Sequence, residues 1–263
     1  MRSADITFVI LTRNEEANLG ACLQSLLPES PKIVFDAFSE DGTVEIAKSF
    51  GATVYREAWK GHVRARTAAA ALVTTPWTFM IDADERLTPE LRYELHALNP
   101  PASVVAYTVP RRNWFLRRWI KGAGWWPDRL VRLFRTGQAR VVGHLSPQGS
   151  TRLADTGIHE RWIPDGAGAA LNSPLEHYSY PNLATYRRKF AEYTMLEARH
   201  MLASPARIAG RWLWVPFRFV WLLFARRGIL DGWRGIYICA ASALYPAVAA
   251  TKSHRLRSQL WKW

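Results

Sequence analysis

The chain has 263 residues and a formal net charge of +13, with 49% hydrophobic and 22% charged residues. This apolar share excludes a wholly disordered chain, and the length accommodates one large domain or one domain with an appendage. The two cysteines, Cys22 and Cys239, lie too far apart in the sequence for a zinc motif and are too few for a disulfide framework.

The charge is divided unevenly along the chain. Residues 1–110 contain 10 Lys and Arg against 14 Asp and Glu, whereas residues 111–263 contain 25 against 8. Eleven of the thirteen tryptophans lie in the second part. A basic and aromatic-rich segment is typical of a chain that meets nucleic acid or an anionic membrane surface.

The first 110 residues alternate between strand and helix patterns. Short apolar runs predict four strands, over residues 6–11, 32–38, 53–55 and 77–81. Helices are expected over residues 62–72 and behind the capping residues Asn14, Asp41 and Thr88. This alternation predicts a parallel sheet with helices on both faces.

Acidic residues follow several of these strands, at the edge where such sheets bind ligands. Asp82 and Asp84 directly follow the fourth strand. Two positions apart on an extended backbone, they would point to the same side, and two convergent carboxylates suit a divalent cation whose shell phosphate oxygens complete. The other interpretation is that they cap a turn before the Thr88 helix. Neither a dinucleotide-binding glycine motif nor a phosphate-binding P-loop occurs in the sequence.

Ordered sequence blocks identify a family resemblance. Residues 6–18, 33–47 and 79–89 resemble family 2 glycosyltransferases of the GT-A fold. In the second half, six further blocks are similar, in the same order, to bacterial lipopolysaccharide-core glucosyltransferases: residues 110–113, 124–128, 132–135, 159–160, 177–179 and 227–233.

The resemblance implies an α/β fold of the GT-A type. Its central sheet is Rossmann-like and mostly parallel with helices on both faces, and a helical, membrane-associated segment follows at the C-terminus. Residues 1–110 would form the nucleotide-sugar-binding half of the domain, residues 111–204 the half with the acceptor site and catalytic base, and residues 205–263 the apolar, basic helices.

The same resemblance implies a nucleotide-sugar donor, with a UDP-sugar as the first choice, and a divalent cation, Mg²⁺ or Mn²⁺. Asp84 would hold the metal, and Asp82 would hold the ribose or a metal-bound water. Asp36 would accept a hydrogen bond from the base, and Arg66 would lie near the diphosphate. Beside the base and ribose would lie Thr12, Asn14 and Glu15.

The implied reaction is an inverting hexosyl transfer, which needs a general base to deprotonate the acceptor hydroxyl. Glu160 is the first candidate and Asp128 the second, while His159 would orient the base or substitute for it. The acceptor would be a phosphorylated or lipid-linked saccharide, as in the lipopolysaccharide core. Its binding residues would be Arg111, Arg112, Trp125, Trp126 and His177.

The sequence departs from the family pattern at two positions near the nucleotide. The family usually has Asp-Ser-Gly-Ser after the second strand, whereas this chain has Asp36-Ala-Phe-Ser39. Thr67 stands where an asparagine is common. Both departures concern recognition of the donor.

The C-terminal segment carries two apolar stretches. Residues 212–225 are too few to span a bilayer, and the uncharged residues 235–251 are at the lower limit. Arginines and tryptophans flank both stretches, which is typical of interfacial anchors. We expect an interfacial or re-entrant helix pair on the cytoplasmic face of the bacterial inner membrane. The alternative is a buried helical hairpin.

Two other functions are compatible with parts of the sequence. A polyprenyl-phosphate glycosyltransferase would share the acidic sheet edge and the membrane contact, but the blocks at 125–128 and 159–160 disfavour it. A non-enzymatic nucleic-acid binder would need neither Asp82 nor Asp84, and its binding would weaken steeply with salt. Because it leaves the apolar C-terminal stretches unexplained, no nucleic-acid partner is expected.

Overall fold

The computed structural model describes residues 1–143, 160–201 and 204–260. The chain divides into two compact units. The first comprises Met1–Arg111 and Arg129–His177, and the second comprises Arg112–Asp128 and Tyr178–Trp263. This division follows contacts rather than function, so the three functional segments predicted above stay a prediction.

Twelve strands and seven α-helices are formed by the described residues. The strands are β1 Ile6–Thr12, β2 Lys32–Asp36, β3 Thr53–Arg56, β4 Trp77–Asp82, β5 Glu85–Leu87, β6 Val104–Phe115, β7 Arg118–Trp119, β8 Asp128–Arg135, β9 Ala139–Val142, β10 Arg161–Pro164, β11 Ala167–Ala170 and β12 Leu175–Tyr180. The helices are α1 Glu16–Ser25, α2 Thr43–Ser49, α3 His62–Ala71, α4 Pro89–Ala97, α5 Leu183–His200, α6 Pro205–Phe224 and α7 Gly232–Leu260.

The main sheet has the strand order β3-β2-β1-β4-β8-β6-β12-β5. The first four strands are parallel, as predicted. β8 then pairs antiparallel with β4, and β12 pairs antiparallel with β5, so the complete sheet is mixed. The α/β fold class is confirmed, and antiparallel strands extend the parallel half that the strand and helix alternation predicts.

Helices cover both faces of the parallel half. Along β1, Phe8 and Ile10 belong to one buried cluster with Leu19 of α1 and Leu91 of α4. The intervening Val9 belongs to a second cluster, which contains Val63, Ala65 and Ala69 of α3. This alternation follows from the two-residue period of a strand, and each large apolar side chain buried in this way contributes about 1.5–3 kcal/mol.

One of the three predicted helix caps, the one at Asn14, is wrong. α1 begins at Glu16, and Asn14 has a left-handed backbone with φ 55° instead of capping it. α2 begins at Thr43, directly after Gly42, and Asp41 Oδ1 accepts a hydrogen bond from the backbone N–H of Thr43 at 3.1 Å. Oδ2 of the same carboxylate accepts from the backbone N–H of Glu16 at 3.1 Å. The cap of α4 is confirmed, because Thr88 Oγ1 accepts from the backbone N–H of Leu91 at 3.1 Å.

In the second unit, the connection between α6 and α7 holds the loop before β8. Asp231 is 4% exposed, and its carboxylate accepts hydrogen bonds from the backbone N–H groups of Lys121 and Gly122. The backbone N–H of Ala123 donates to the carbonyl of Arg226 at 2.8 Å. The block at residues 227–233 therefore helps to fix the loop at residues 121–123 through the hydrogen bonds of Asp231.

No helix in the described ranges is by itself both long and apolar enough to cross a bilayer. Helix α6 and residues 228–257 are long and apolar enough only when they are taken together, and the pair is bent by 70° at the break between them.

Candidate active site

The carboxyl ends of β1, β2 and β4 meet at one edge of the sheet. Thr12 at the end of β1 is paired in register with Asp36 at the end of β2, and Leu11 is paired with Asp82 at the end of β4. Three of the predicted donor-binding residues therefore lie on neighbouring strands, at the edge where sheets of this kind bind ligands.

Asp36 is fully buried, and both of its carboxylate oxygens accept hydrogen bonds. Thr12 Oγ1 donates to Oδ1 at 3.1 Å, and the backbone N–H of Ser39 donates to Oδ2 at 2.9 Å. Arg56 Nε of β3 lies 3.4 Å from Oδ2. This carboxylate ties together the ends of three strands, and its contact with a nucleobase stays a prediction.

Asn14 and Glu15 lie on the loop that follows β1. The backbone N–H of Asn14 donates to Ser39 Oγ at 2.8 Å, and Asn14 Oδ1 accepts from the backbone N–H of Glu40 at 2.9 Å. The backbone N–H of Glu15 donates to Thr43 Oγ1 at 2.8 Å. These bonds fix the loops after β1 and β2 against each other at the sheet edge.

Asp82 is held between two arginines. Arg66 Nη2 donates to Oδ1 at 2.9 Å, and Arg132 Nη2 donates to Oδ2 at 2.8 Å and also to Glu85 Oε1. Burial alone would raise the pKa of Asp82, but the charges and hydrogen bonds of Arg132 and Arg66 hold that pKa well below its usual range. Asp82 is thus an ionised carboxylate, and each of its two oxygens accepts a hydrogen bond from a guanidinium group.

Asp82 and Asp84 do not lie on one extended strand as predicted. β4 ends at Asp82, and residues 83 and 84 form a turn before β5. Asp84 has a different partner, since its Oδ2 lies 3.5 Å from Nε2 of His177. The antiparallel pairing of β12 with β5 brings His177 to this turn.

Asp84 and His177, of which His177 was predicted to bind the acceptor, could together supply two ligands to a divalent cation. Their side chains are 19% and 14% exposed, and a carboxylate oxygen and an imidazole nitrogen are both metal ligands. Within the described ranges, no group of three or more His, Cys, Asp or Glu side chains is arranged to hold an ion. A cation bound here would therefore take its other ligands from phosphate oxygens and water.

Two residues of this edge were missing from the predicted site. Glu85 is fully buried and binds Arg132, and Arg111 Nη1, predicted to bind the acceptor, also donates to Glu85 Oε1 at 3.2 Å. The two missed residues are Glu85 and Arg132. The sequence offered a signal for each, since Glu85 directly follows Asp84 and Arg132 begins the 132–135 block. Their pairing across strands could not be inferred from spacing.

Glu160, the first candidate for the base, lies directly before β10. Its Oε1 is 3.6 Å from Nδ1 of His62 at the start of α3, and its side chain is 12% exposed. This oxygen is buried and accepts no hydrogen bond from the residues that the structure describes. His159, its predicted partner, lies outside the described residues.

The remaining predicted residues lie in the second unit. Asp128 Oδ2 accepts from Asn113 Nδ2 at 3.2 Å, and Asn113 also donates to the carbonyl of Trp125 at 3.2 Å. The Trp125 ring lies 5.7 Å from that of Tyr180, within an aromatic cluster. Around the Trp119 ring lie the Arg112 guanidinium at 4.8 Å and the Trp126 ring at 5.2 Å. The structure thus groups Asp128, Arg112, Trp125 and Trp126 in one unit and the donor and metal candidates in the other.

Comparison with known proteins agrees with this geometry. The family model "Glycosyl transferase family 2" matches residues 7–192. The chain is 28% identical over 260 residues to the lipopolysaccharide core biosynthesis glycosyltransferase LpsC of Rhizobium meliloti, covering 94% of this chain and 90% of that protein. It is 26% identical to an uncharacterized glycosyltransferase of Rickettsia prowazekii, covering 97% and 89%. A distant similarity, with 22% identity and a TM-score of 0.34, links 41% of the chain to 43% of glucosyl-3-phosphoglycerate synthase from Mycobacterium tuberculosis.

Proposed function

The chain belongs to glycosyl transferase family 2, and on that premise we propose that it transfers a sugar from a nucleotide-sugar donor to a saccharide of a lipid-linked envelope glycan. The observation that carries the proposal is the sheet edge itself. There the Asp84–His177 pair lies beside the network of Asp82, Arg66 and Arg132. Similarity to a lipopolysaccharide core enzyme over nearly the whole chain supports this class of acceptor.

The donor diphosphate fits the unsatisfied donors of this edge. Arg66 Nη1 is buried and has no hydrogen-bond partner among the described residues, although Nη2 of the same guanidinium binds Asp82. A buried N–H group without an acceptor is costly, and a phosphate oxygen is a suitable acceptor for a guanidinium. Arg66 would therefore hold the diphosphate, while Asp82 and Arg132 fix its guanidinium in place.

Asp84 and His177 would hold Mg²⁺ or Mn²⁺ at the diphosphate. Such a cation neutralises the charge that develops on the departing nucleoside diphosphate.

Inversion at the anomeric carbon needs one base and no covalent intermediate. Glu160 would accept the proton of the acceptor hydroxyl while the acceptor oxygen bonds to the anomeric carbon and the bond to the diphosphate breaks on the opposite face. The ion pair with His62 would orient the carboxylate. Asp128 is the second candidate for the base, and His159 would orient the base or replace it.

The acceptor site would use the aromatic and basic residues of the second unit. Guanidinium groups bind phosphates in bidentate geometry, and aromatic faces can stack on sugar rings. Arg112 and Trp126 both pack on Trp119, and they are the residues that we assign to a phosphorylated saccharide.

We further propose that α6 lies on the cytoplasmic face of the bacterial inner membrane. Leu213, Phe217, Val220 and Phe224 recur at helical spacing, and each is more than half exposed. From residue 198 to the C-terminus the sequence contains a single acidic residue, Asp231, against eleven Lys and Arg. An exposed apolar face amid basic side chains suits the interface of an anionic bilayer.

A donor screen tests the proposed reaction. Wild-type protein should release nucleoside diphosphate from one nucleotide sugar in a panel, only with Mg²⁺ or Mn²⁺ present. Asp84→Ala and His177→Ala should each lower this rate at least a hundredfold, because each removes a metal ligand. Asp5→Ala is the matched control, because Asp5 precedes β1 at the opposite end of the strand. Unchanged turnover in Asp84→Ala would exclude the metal assignment.

The base is tested separately. Glu160→Gln should abolish transfer to an acceptor and leave nucleotide binding unchanged, since the amide keeps the shape of the side chain but cannot take up a proton. Normal transfer by Glu160→Gln together with inactivity of Asp128→Asn would assign the base to Asp128 instead.

A further inference from the structure

An exposed phenylalanine with a left-handed backbone follows β2. Phe38 has φ 55°, and 53% of its surface is exposed. This conformation is uncommon for residues other than glycine and carries an energetic cost. Burial of the side chain does not offset the cost, so the position is maintained for another reason.

Hydrogen bonds from three neighbouring segments hold the loop around Phe38 in place. The backbone N–H of Ser39 donates to Asp36 Oδ2, and Ser39 Oγ accepts from the backbone N–H of Asn14 at 2.8 Å. Arg56 Nη2 donates to the carbonyl of Ser39 at 3.3 Å. A strained residue persists where its surroundings over-determine it, and such residues cluster at ligand sites.

Arg56 also supports the ring of Phe38. Its guanidinium carbon lies 5.1 Å from the ring centroid, a cation–π distance. Phe38 follows the end of β2 by two residues, and Arg56 is the last residue of β3. Both therefore lie at the sheet edge that contains Thr12 and Asp82, where the donor is proposed to bind.

We propose that Phe38 is the stacking surface for the nucleobase of the donor, and that Asp36 positions this loop rather than contacting the base. The inference rests on the proposed nucleotide-sugar donor. Asp36 is fully buried and both of its oxygens already accept hydrogen bonds, whereas the Phe38 ring is open to solvent. Every base has a face that can stack on an aromatic ring, so binding by Phe38 discriminates little between bases.

Calorimetric titration in the presence of Mg²⁺ tests this assignment. The ligands are UDP, CDP, ADP, GDP and inorganic pyrophosphate, and the proteins are wild type, Phe38→Ala, Phe38→Trp and Phe50→Ala. Phe38→Ala should bind each nucleoside diphosphate about tenfold or more weakly, as loss of base stacking predicts, and should bind pyrophosphate unchanged. Phe38→Trp retains an aromatic face and should bind as wild type does.

Phe50→Ala is the matched control. Phe50 is also exposed, at 40%, but it lies at the C-terminal end of α2. This variant should bind all five ligands normally. Thermal unfolding midpoints of the four proteins confirm that each is folded at the titration temperature.

Two results would overturn the inference alone: unchanged binding of nucleoside diphosphates by Phe38→Ala, or an equal loss of pyrophosphate binding, which would place the effect at the phosphates. A wild-type protein that binds none of the four nucleoside diphosphates would overturn the proposed donor as well.

Discussion

Arg132 is the residue on which the acidic edge of the sheet depends. Only 4% of it is exposed, and it donates to both Asp82 and Glu85, of which Glu85 is completely buried. A buried carboxylate that loses its cation retains the full cost of desolvation. Arg132 therefore pairs with both carboxylates and fixes the position of Asp82 beside the proposed diphosphate site.

Replacement of Arg132 by Met should lower the free energy of unfolding by about 3–5 kcal/mol, because the buried Glu85 and the partly buried Asp82 lose their shared cation. Urea denaturation measures the change. Arg135→Met, in the same strand, removes the hydrogen bonds that the Arg135 side chain donates to the backbone carbonyls of Val104 and Pro101, and a cation–π contact with Trp77. This variant should cost about 1–2 kcal/mol. Equal losses in the two variants would show that the carboxylate network is not the source.

At the scale of elements, helix α7 approaches the preceding 3₁₀ turn, Gly228–Asp231, through glycine. A β-carbon on Gly235 would overlap the carbonyl oxygen of Gly228, and one on Gly228 would overlap Cys239 Sγ. Only residues without a side chain permit this crossing. The same turn carries Asp231, so the close approach also positions the loop that Asp231 holds.

Gly235→Ala should therefore destabilise the protein by about 2–3 kcal/mol, because the overlapping backbone must move apart. Gly210→Ala is its control, since a β-carbon on Gly210 of α6 meets nothing within 4 Å. That variant should instead stabilise the protein by about 0.5–1 kcal/mol through higher helix propensity. Thermal unfolding of both variants should show shifts of opposite sign, and a shared sign would contradict the packing argument.

The whole molecule combines a sheet edge that fits a charged donor with a helix whose apolar face has no partner among the described residues. On α6, Trp214 is 69% exposed and Phe217 is 67% exposed. A bilayer interface would bury this face, and the basic side chains of the C-terminal segment would attract anionic headgroups. Attachment through α6 would hold the protein at the surface where a lipid-linked acceptor is found.

Flotation with phospholipid vesicles tests this attachment. Wild-type protein should float with vesicles that contain anionic lipid, and less with neutral vesicles or at 1 M salt, because salt screens the charges. The double variant Trp214→Ser/Phe217→Ser should bind at least tenfold more weakly, since each large side chain is worth about 1.5–3 kcal/mol when buried. Tyr93→Ser, which alters a residue of α4 that is 76% exposed, should bind as wild type does. Wild-type protein that does not float would exclude the membrane as the partner of this face.

Local patterns predicted the parallel half of the sheet well. The runs ending at Leu11 and Ile81 became β1 and β4 with one residue more each, and the Thr88 cap formed as expected. The cap at Asn14 failed because its side chain accepts from the backbone N–H of Glu40 in a distant loop instead. Asp41 binds the first backbone N–H group of α2 with one oxygen and that of Glu16 with the other. A polar side chain of this type serves whichever N–H group the fold brings near, and the sequence around it does not reveal which one.

Site residues show the same division. Strand ends predicted that Thr12, Asp36 and Asp82 would share one edge, since parallel strands end together. The pairing of Asp84 with His177 lay beyond prediction, because it depends on a turn after β4 and on a strand that returns more than 90 residues later. Likewise, the two arginines on Asp82 come from α3 and β8, and no periodicity relates those positions.

The sequence by itself determined the α/β class, the family and the acidic edge, because apolar periodicity and ordered motifs are local properties of a chain. Only the tertiary structure decided which carboxylates remain available. Asp36 and Asp82 are satisfied by partners from neighbouring elements, whereas Asp84 meets His177 and Phe38 stands open beside Arg56. The structure likewise shows where the residues behind the net charge of +13 lie. Arg132 and Arg66 pair with Asp82 at the sheet edge, and the arginines and lysines of the C-terminal segment accompany the exposed apolar face of α6.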